Sequence, residues 1–257
     1  MKNIKSSALS LLVLLFATAC GRIYAQGSGT QWQRLELPFT AAGVYTNPVV
    51  QVDLTTTFFG PTGLVYNISG FWDGGNTWRV RFTPPASGVW TFSNNCNVAD
   101  SGLAPQSGSI SVAPATGTNA LYLHGGFLKV APNGHYLTYA DGTPFFWLGD
   151  TCWFCPGNYA PINGGTSTQY DTPSMFEQWV NQRQTQNFDV LQLAFLGNLG
   201  TNDSSPGGQM SAGTIDPNYW QQVDQYIDYA NDSGMIPAVI LDTWNGALTN
   251  YTPSQLT

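Results

Sequence analysis

The side chains best suited to chemistry stand in two short runs, Asp150-Thr151-Cys152-Trp153 and Asp242-Thr243-Trp244-Asn245. Each follows an apolar stretch, Phe145 to Leu148 in the first case and Ile236 to Leu241 in the second. A carboxylate at the end of a buried strand can hydrogen-bond sugar hydroxyls, and an indole in the next loop can stack on the ring. Asp150, Trp153, Asp242, Trp244 and Asn245 are therefore the candidate substrate-binding residues. Each has a plainer structural alternative. Asp150 can cap the following turn with help from Thr151, and both indoles can simply pack beneath their loops. The chain holds nine Trp, too many for all to be ligand platforms.

Cleaving a glycoside needs two carboxyl groups, one to protonate the leaving oxygen and one to attack the sugar or activate water. Of the fifteen acidic residues only two are Glu, Glu36 and Glu177. Glu36 lies in the β-rich front and Glu177 inside the first predicted helix, facing away from the strand ends, so no Glu is placed to act as a nucleophile, and residues 1–257 by themselves are expected not to hydrolyse glycosides. Metal chemistry lacks ligands. Cys152 and Cys155 form one C-x-x-C pair with no second pair, and His124 and His135 are the whole histidine complement. Pro156-Gly157 gives that pair a turn where a redox site needs a helix start. A local disulfide or two packed thiols is the expectation there, with Cys96 structural. His124 and His135 read as linker and turn residues. No cofactor is expected.

The net charge of -7, with eight Lys and Arg spread over the chain, excludes the basic patch that nucleic acid requires. Charged residues make up 9%, so the surface must consist of Asn, Gln, Ser, Thr and Gly, a composition suited to an extracellular protein. Lys2 and Lys5 precede the short apolar run 9–17, and Ala17-Thr18-Ala19 before Cys20 forms a cleavage site. Residues 1–25 are thus expected to be a signal peptide. The same stretch can be a lipoprotein signal with Cys20 lipidated, which would be the only route to a membrane. The expected location is secreted, periplasmic or on the outer surface of a bacterium.

The elements that must position these groups divide into two kinds. From 27 to 113 the pattern is all-β. Val50, Val52, Leu54 and Phe58 alternate with polar residues, as do Trp78, Val80 and Phe82 with Arg79 and Arg81. Asp73-Gly74-Gly75-Asn76 marks a hairpin, and short strands at this spacing predict an immunoglobulin-like sandwich. A polar linker is expected over 114–126. A second hairpin follows around Pro132-Asn133-Gly134, and then strand and helix alternate: Phe145 to Leu148, a helix opening at Thr172-Pro173-Ser174, Val190 to Leu196, a helix from Asp216-Pro217 to Gly234, and Ile236 to Leu241. That order predicts parallel βαβ units. Thr252-Pro253-Ser254 repeats the helix-opening tripeptide near the end, so the sequence is expected to be a C-terminally truncated piece with about the first three strands.

The block Asp141-Gly142-Thr143-Pro144-Phe145-Phe146-Trp147-Leu148-Gly149-Asp150-Thr151, running on to Trp153, resembles the opening of the apiosidase-like glycoside hydrolase barrels. Asn218-Tyr219-Trp220 through Asp224, Ala230 and Gly234 resembles the helix before that family's third strand. Asn47-Pro48, Phe71-Trp72-Asp73-Gly74, Arg79 to Phe82 and Gly88-Val89-Trp90 are similar to the small sandwich often found ahead of such barrels. The resemblance implies a multidomain chain, the sandwich followed by a partial α/β (β/α)₈ TIM barrel over 127–257. It implies a retaining-type hydrolase of plant or microbial polysaccharide, whose carboxylate pair sits near the fourth and seventh strands, beyond Thr257. The alternative is a non-catalytic carbohydrate-binding or cell-surface protein in which the sandwich does the binding.

Overall fold

The computed structural model describes residues 22–23, 27–152, 175–194, 210–211, 214–215 and 217–240. Its front part is two facing sheets. The strands are β1 (Arg22–Ile23), β2 (Gly27–Thr30), β3 (Leu35–Thr40), β4 (Leu54–Phe59), β5 (Val65–Ser69), β6 (Phe71–Trp72), β7 (Thr77–Phe82), β8 (Gly88–Cys96) and β9 (Gln106–Ala113). One six-stranded sheet runs β1-β9-β8-β4-β5 with β2 also on β9, and the other, three-stranded, runs β3-β7-β6. The period-two pattern works as read: Trp78, Val80 and Phe82 turn inward and are buried, while Arg79 and Arg81 turn outward. Inward residues of both sheets form one core around Phe39, Phe58, Trp90 and Ile110. Phe58 stacks on Phe82 across the sheets, with ring centroids 4.3 Å apart. The turn Asp73–Asn76 joins β6 to β7 as predicted, with Gly74 and Gly75 at positive φ, where a side chain would be strained.

One local reading is corrected in part. Val50 does not continue the β4 alternation upstream, because Pro48–Gln51 forms a helical turn, α1, and Val50 is exposed, whereas Val52 is extended and buried and keeps the period with Leu54. Proline in the first helical turn fixes φ, and the Asn47 carbonyl accepts from the amides of Val50 and Gln51. The linker segment also carries a helical turn. Asn119 caps a second helical turn, α2 (Ala120–Leu123), by accepting from the Leu121 amide at 3.0 Å.

Next comes a small antiparallel sheet, β10 (Lys129–Val130), β11 (Leu137–Thr138) and β12 (Pro144–Phe145). His124 Nδ1 lies 2.7 Å from Asp141 Oδ2, and its ring stacks on Tyr139, tying the linker to this hairpin. His135 sits exposed in the turn, its amide donating to Asn133.

The α/β part contains β13 (Gly149–Cys152), α3 (Met175–Thr185), β14 (Val190–Ala194), a two-residue hairpin pair β15 (Met210–Ser211) and β16 (Thr214–Ile215), α4 (Pro217–Asp232) and β17 (Ile236–Ile240). Strands β13, β14 and β17 pair in parallel, in that order. The first parallel strand therefore begins at Gly149, later than Phe145 to Leu148. Phe145 belongs instead to β12, opposite Leu137. The apolar run is buried only at Phe145, since Phe146 is 77% and Trp147 46% exposed. Such a run cannot be a strand covered on both faces. Helices α3 and α4 lie on one face of the parallel sheet, with Phe176, Val180, Val223, Tyr226 and Ala230 packed on Leu191, Leu193 and Met235. Trp220, expected on the buried stripe of α4, is instead exposed, and Tyr226 takes part in the core. Gly234 ends the helix at φ +80°.

Candidate functional site

The C-terminal ends of β13, β14 and β17 form one edge of the parallel sheet, at Cys152, Ala194 and Ile240. In α/β sheets this edge is where ligands bind, because loops leave there and side chains from several strands converge. Trp153 follows β13 in sequence, and Asp242, Trp244 and Asn245 follow β17; all four lie outside the described residues.

Asp150 is described, and register decides which way it faces. It pairs with Leu191, and Cys152 pairs with Leu193. Both leucines belong to the core under the helices, so Asp150 projects to the helix side too. There its Oδ2 accepts from Trp179 Nε1 at 2.9 Å and Arg183 Nε at 2.6 Å, while Oδ1 accepts from the Thr151 amide at 2.8 Å. Burial opposes the charge of Asp150, but the Arg183, Trp179 and Thr151 hydrogen bonds outweigh it and hold its pKa below the ordinary value. The carboxylate thus has partners on both oxygens and fastens α3 to β13. Sequence placed Asp150 after the first strand; it stands inside β13, on the helix side of the sheet.

The face away from the helices carries Thr151, Gln192 and Ala238 in one row, with Ala194 and Ile240 in the row beyond. Thr151 and Gln192 are the polar side chains on that face, both partly exposed. Gln192 was missed by sequence reading. Its signal is a single amide inside the otherwise apolar run Val190 to Leu196. Among the described residues, no carboxylate stands on this face of the three strands. Glu177 lies in the first turn of α3, Glu36 in β3 of the sandwich, and Asp189 just before β14, where burial pushes its pKa up.

Cys152 is disulfide-bonded and Cys96 is free. Among the described residues no group of three or more His, Cys, Asp and Glu is arranged to hold a metal ion. No described helix is long and apolar enough to cross a membrane.

Comparison with known proteins gives two family matches. Residues 28–97 match a domain of unknown function (DUF5060), and residues 131–256 match the apiosidase-like catalytic domain. No curated protein matches the chain. A solved structure from Bacteroides vulgatus ATCC 8482, named only as a candidate glycoside hydrolase, superposes with a TM-score of 0.63 at 21% identity, covering 84% of this chain and 41% of its own. A glycoside hydrolase family 5 protein from the same organism gives a TM-score of 0.37 at 22% identity, over 49% of this chain and 26% of its own. This chain therefore spans less than half the length of either structure. Behind a front part similar to DUF5060, residues 131–256 with their parallel βαβ unit are thus similar to the apiosidase-like catalytic domain.

Proposed function

We propose that these residues form the front part of a glycoside hydrolase acting on plant or microbial polysaccharide. The observation that carries this reading is the apiosidase-like catalytic-domain match over 131–256. Three parallel strands with α3 and α4 on one face support a (β/α)₈ barrel opening, with the sandwich, immunoglobulin-like in type, ahead of it. In this reading sugar binds at the C-terminal strand edge, where Thr151 and Gln192 face away from the helices, and Trp153, Asp242, Trp244 and Asn245, which lie outside the described residues, are its sequence candidates. The acid and nucleophile belong to strands later than Ile236–Ile240. Export by a leader within 1–25, with Cys20 as a candidate lipid anchor, accompanies this reading.

The test has two arms. Purified 1–257 is expected to show no turnover of aryl glycosides, whereas the chain extended through its following coding sequence is expected to show it. Turnover by 1–257 itself would place the carboxylate pair within these residues and overturn the division of labour proposed here.

A specific observation favours carbohydrate binding by the sandwich as a second reading. The outward rows of the six-stranded sheet are Ser69-Thr55-Asn95, Asn67-Thr57-Ser93-Ser107 and Val65-Phe59-Thr91-Ser109, none of them charged. Amides and hydroxyls beside exposed Phe59 and Val65 suit a neutral glycan. Retardation of the wild type, but not Phe59→Ala, in gels containing neutral polysaccharide supports this reading; equal migration of the two removes it.

A further inference from the structure

The outward face of β3-β7-β6 differs sharply from the uncharged face just described. Arg81 donates from Nε to Glu36 at 2.6 Å and, through both terminal nitrogens, to the Asp224 carboxylate on α4, Nη1 at 2.7 Å. Arg79 donates to Glu36 at 2.7 Å and to Asp73. Gln221 of α4 donates to Asp73 at 3.1 Å, and Arg34 reaches Asp228 at 2.8 Å. Arg81 also lies over the Phe71 ring, 4.6 Å from its centroid. The other end of α4 is held by the linker. Asn119 donates to the Met235 carbonyl at 3.0 Å, and Thr118 to that of Asp232 at 3.3 Å.

We infer that the sandwich is a docked brace on α4, fixed by this arginine–carboxylate lattice and by the linker's cap on the helix C-terminus, and that it sets the position of α4 and hence of β17. The inference does not depend on the catalytic reading. Two-pronged Arg–carboxylate contacts are directional, so they fix orientation as well as proximity. A module that swung freely would leave Arg81, Arg34 and Asp224 solvated and the Asn119 and Thr118 contacts to Met235 and Asp232 unmade. The single superposition of the Bacteroides vulgatus structure, over 84% of this chain, spans parts of both units.

The experiment uses the full chain. Asp224→Arg places a cation against Arg81 and Arg34. It is expected to raise the radius of gyration by small-angle scattering and to speed protease cleavage within 114–126 several-fold. Wild-type protein moved to about 1 M salt, where screening shortens to roughly 3 Å, should shift in the same direction. The salt arm needs no substitution and so holds even where the variant fails to fold. Unchanged scattering and cleavage in high salt, or a folded Asp224→Arg protein that stays as compact as the wild type, overturns the inference.

Discussion

Asp150 and Asp100 are both carboxylates with several hydrogen bonds, and both act on structure. The two oxygens of Asp150 hold Trp179, Arg183 and the Thr151 amide. Asp150→Asn should therefore lower stability by about 1–2 kcal/mol in urea unfolding, the range for a partly exposed charge-assisted pair, without changing sugar affinity. A fall in affinity with unchanged stability would return Asp150 to the ligand site. Asp100 is buried and accepts from the amides of Ala42, Gly43 and Gly102 and from the Tyr45 hydroxyl. Burial opposes its charge, but these bonds prevail and bring its pKa down to about 2 from an ordinary 3.8, while Tyr45 is pushed up to about 12. A depressed folded pKa means the unfolded chain binds the proton more readily. The contribution of Asp100 is complete above the ordinary value and disappears as pH falls through it toward 2. Acid titration of stability should show this loss, about 2 kcal/mol, and Asp100→Asn should flatten the curve.

Elements are set by neighbours that a local pattern does not see. Alternation predicted β7 and its inward Trp78, Val80 and Phe82, since a half-buried strand must alternate. It overextended β4 upstream, where proline at position 48 imposed a turn. The run Phe145 to Leu148 reads as a buried parallel strand, but it pairs at Phe145 with β11 and then exposes Phe146 and Trp147. Asn119 illustrates a dependence invisible in sequence. Its side chain caps α2 and holds the Met235 carbonyl 116 positions away. Asn119→Ala should cost about 1–3 kcal/mol, because it leaves a helix donor and a buried acceptor unpaired. Thermal or urea unfolding would measure it. A change within error would show that water replaces the amide at both ends.

Among the described residues, Arg34, Glu36, Asp73, Arg79, Arg81, Asp224 and Asp228 form one charged lattice where the sandwich meets α4. The members of that lattice are not equivalent. Burial pushes the pKa of Asp228 up, and Arg34 only partly offsets this against the nearby Asp224 and Asp232. A raised carboxylate pKa means that the native state takes the proton more readily than the unfolded chain, so ionised Asp228 weakens the fold and protonation relieves it. Asp228→Asn is expected to leave stability unchanged or raised at neutral pH while still accepting from Arg34. Asp224→Asn, which removes the charge opposing Arg81, should lower it. Guanidinium unfolding of both variants checks the pair, and a larger loss for Asp228→Asn than for Asp224→Asn contradicts this ordering.

Composition and periodicity were enough to determine the two kinds of architecture, the β-rich front and the strand–helix alternation behind it, and the motif resemblance pointed to the family whose model matches 131–256. These are properties of local pattern, and each short window carries its own burial preference. The side on which Asp150 projects, the parallel pairing that puts Thr151 beside Gln192, and the partners of Arg81 on a helix 143 positions away were decided only in three dimensions. A one-residue change of register reverses every side chain of a strand, and long-range partners share no local signal. Sequence therefore named the carboxylate, and the tertiary structure chose its face.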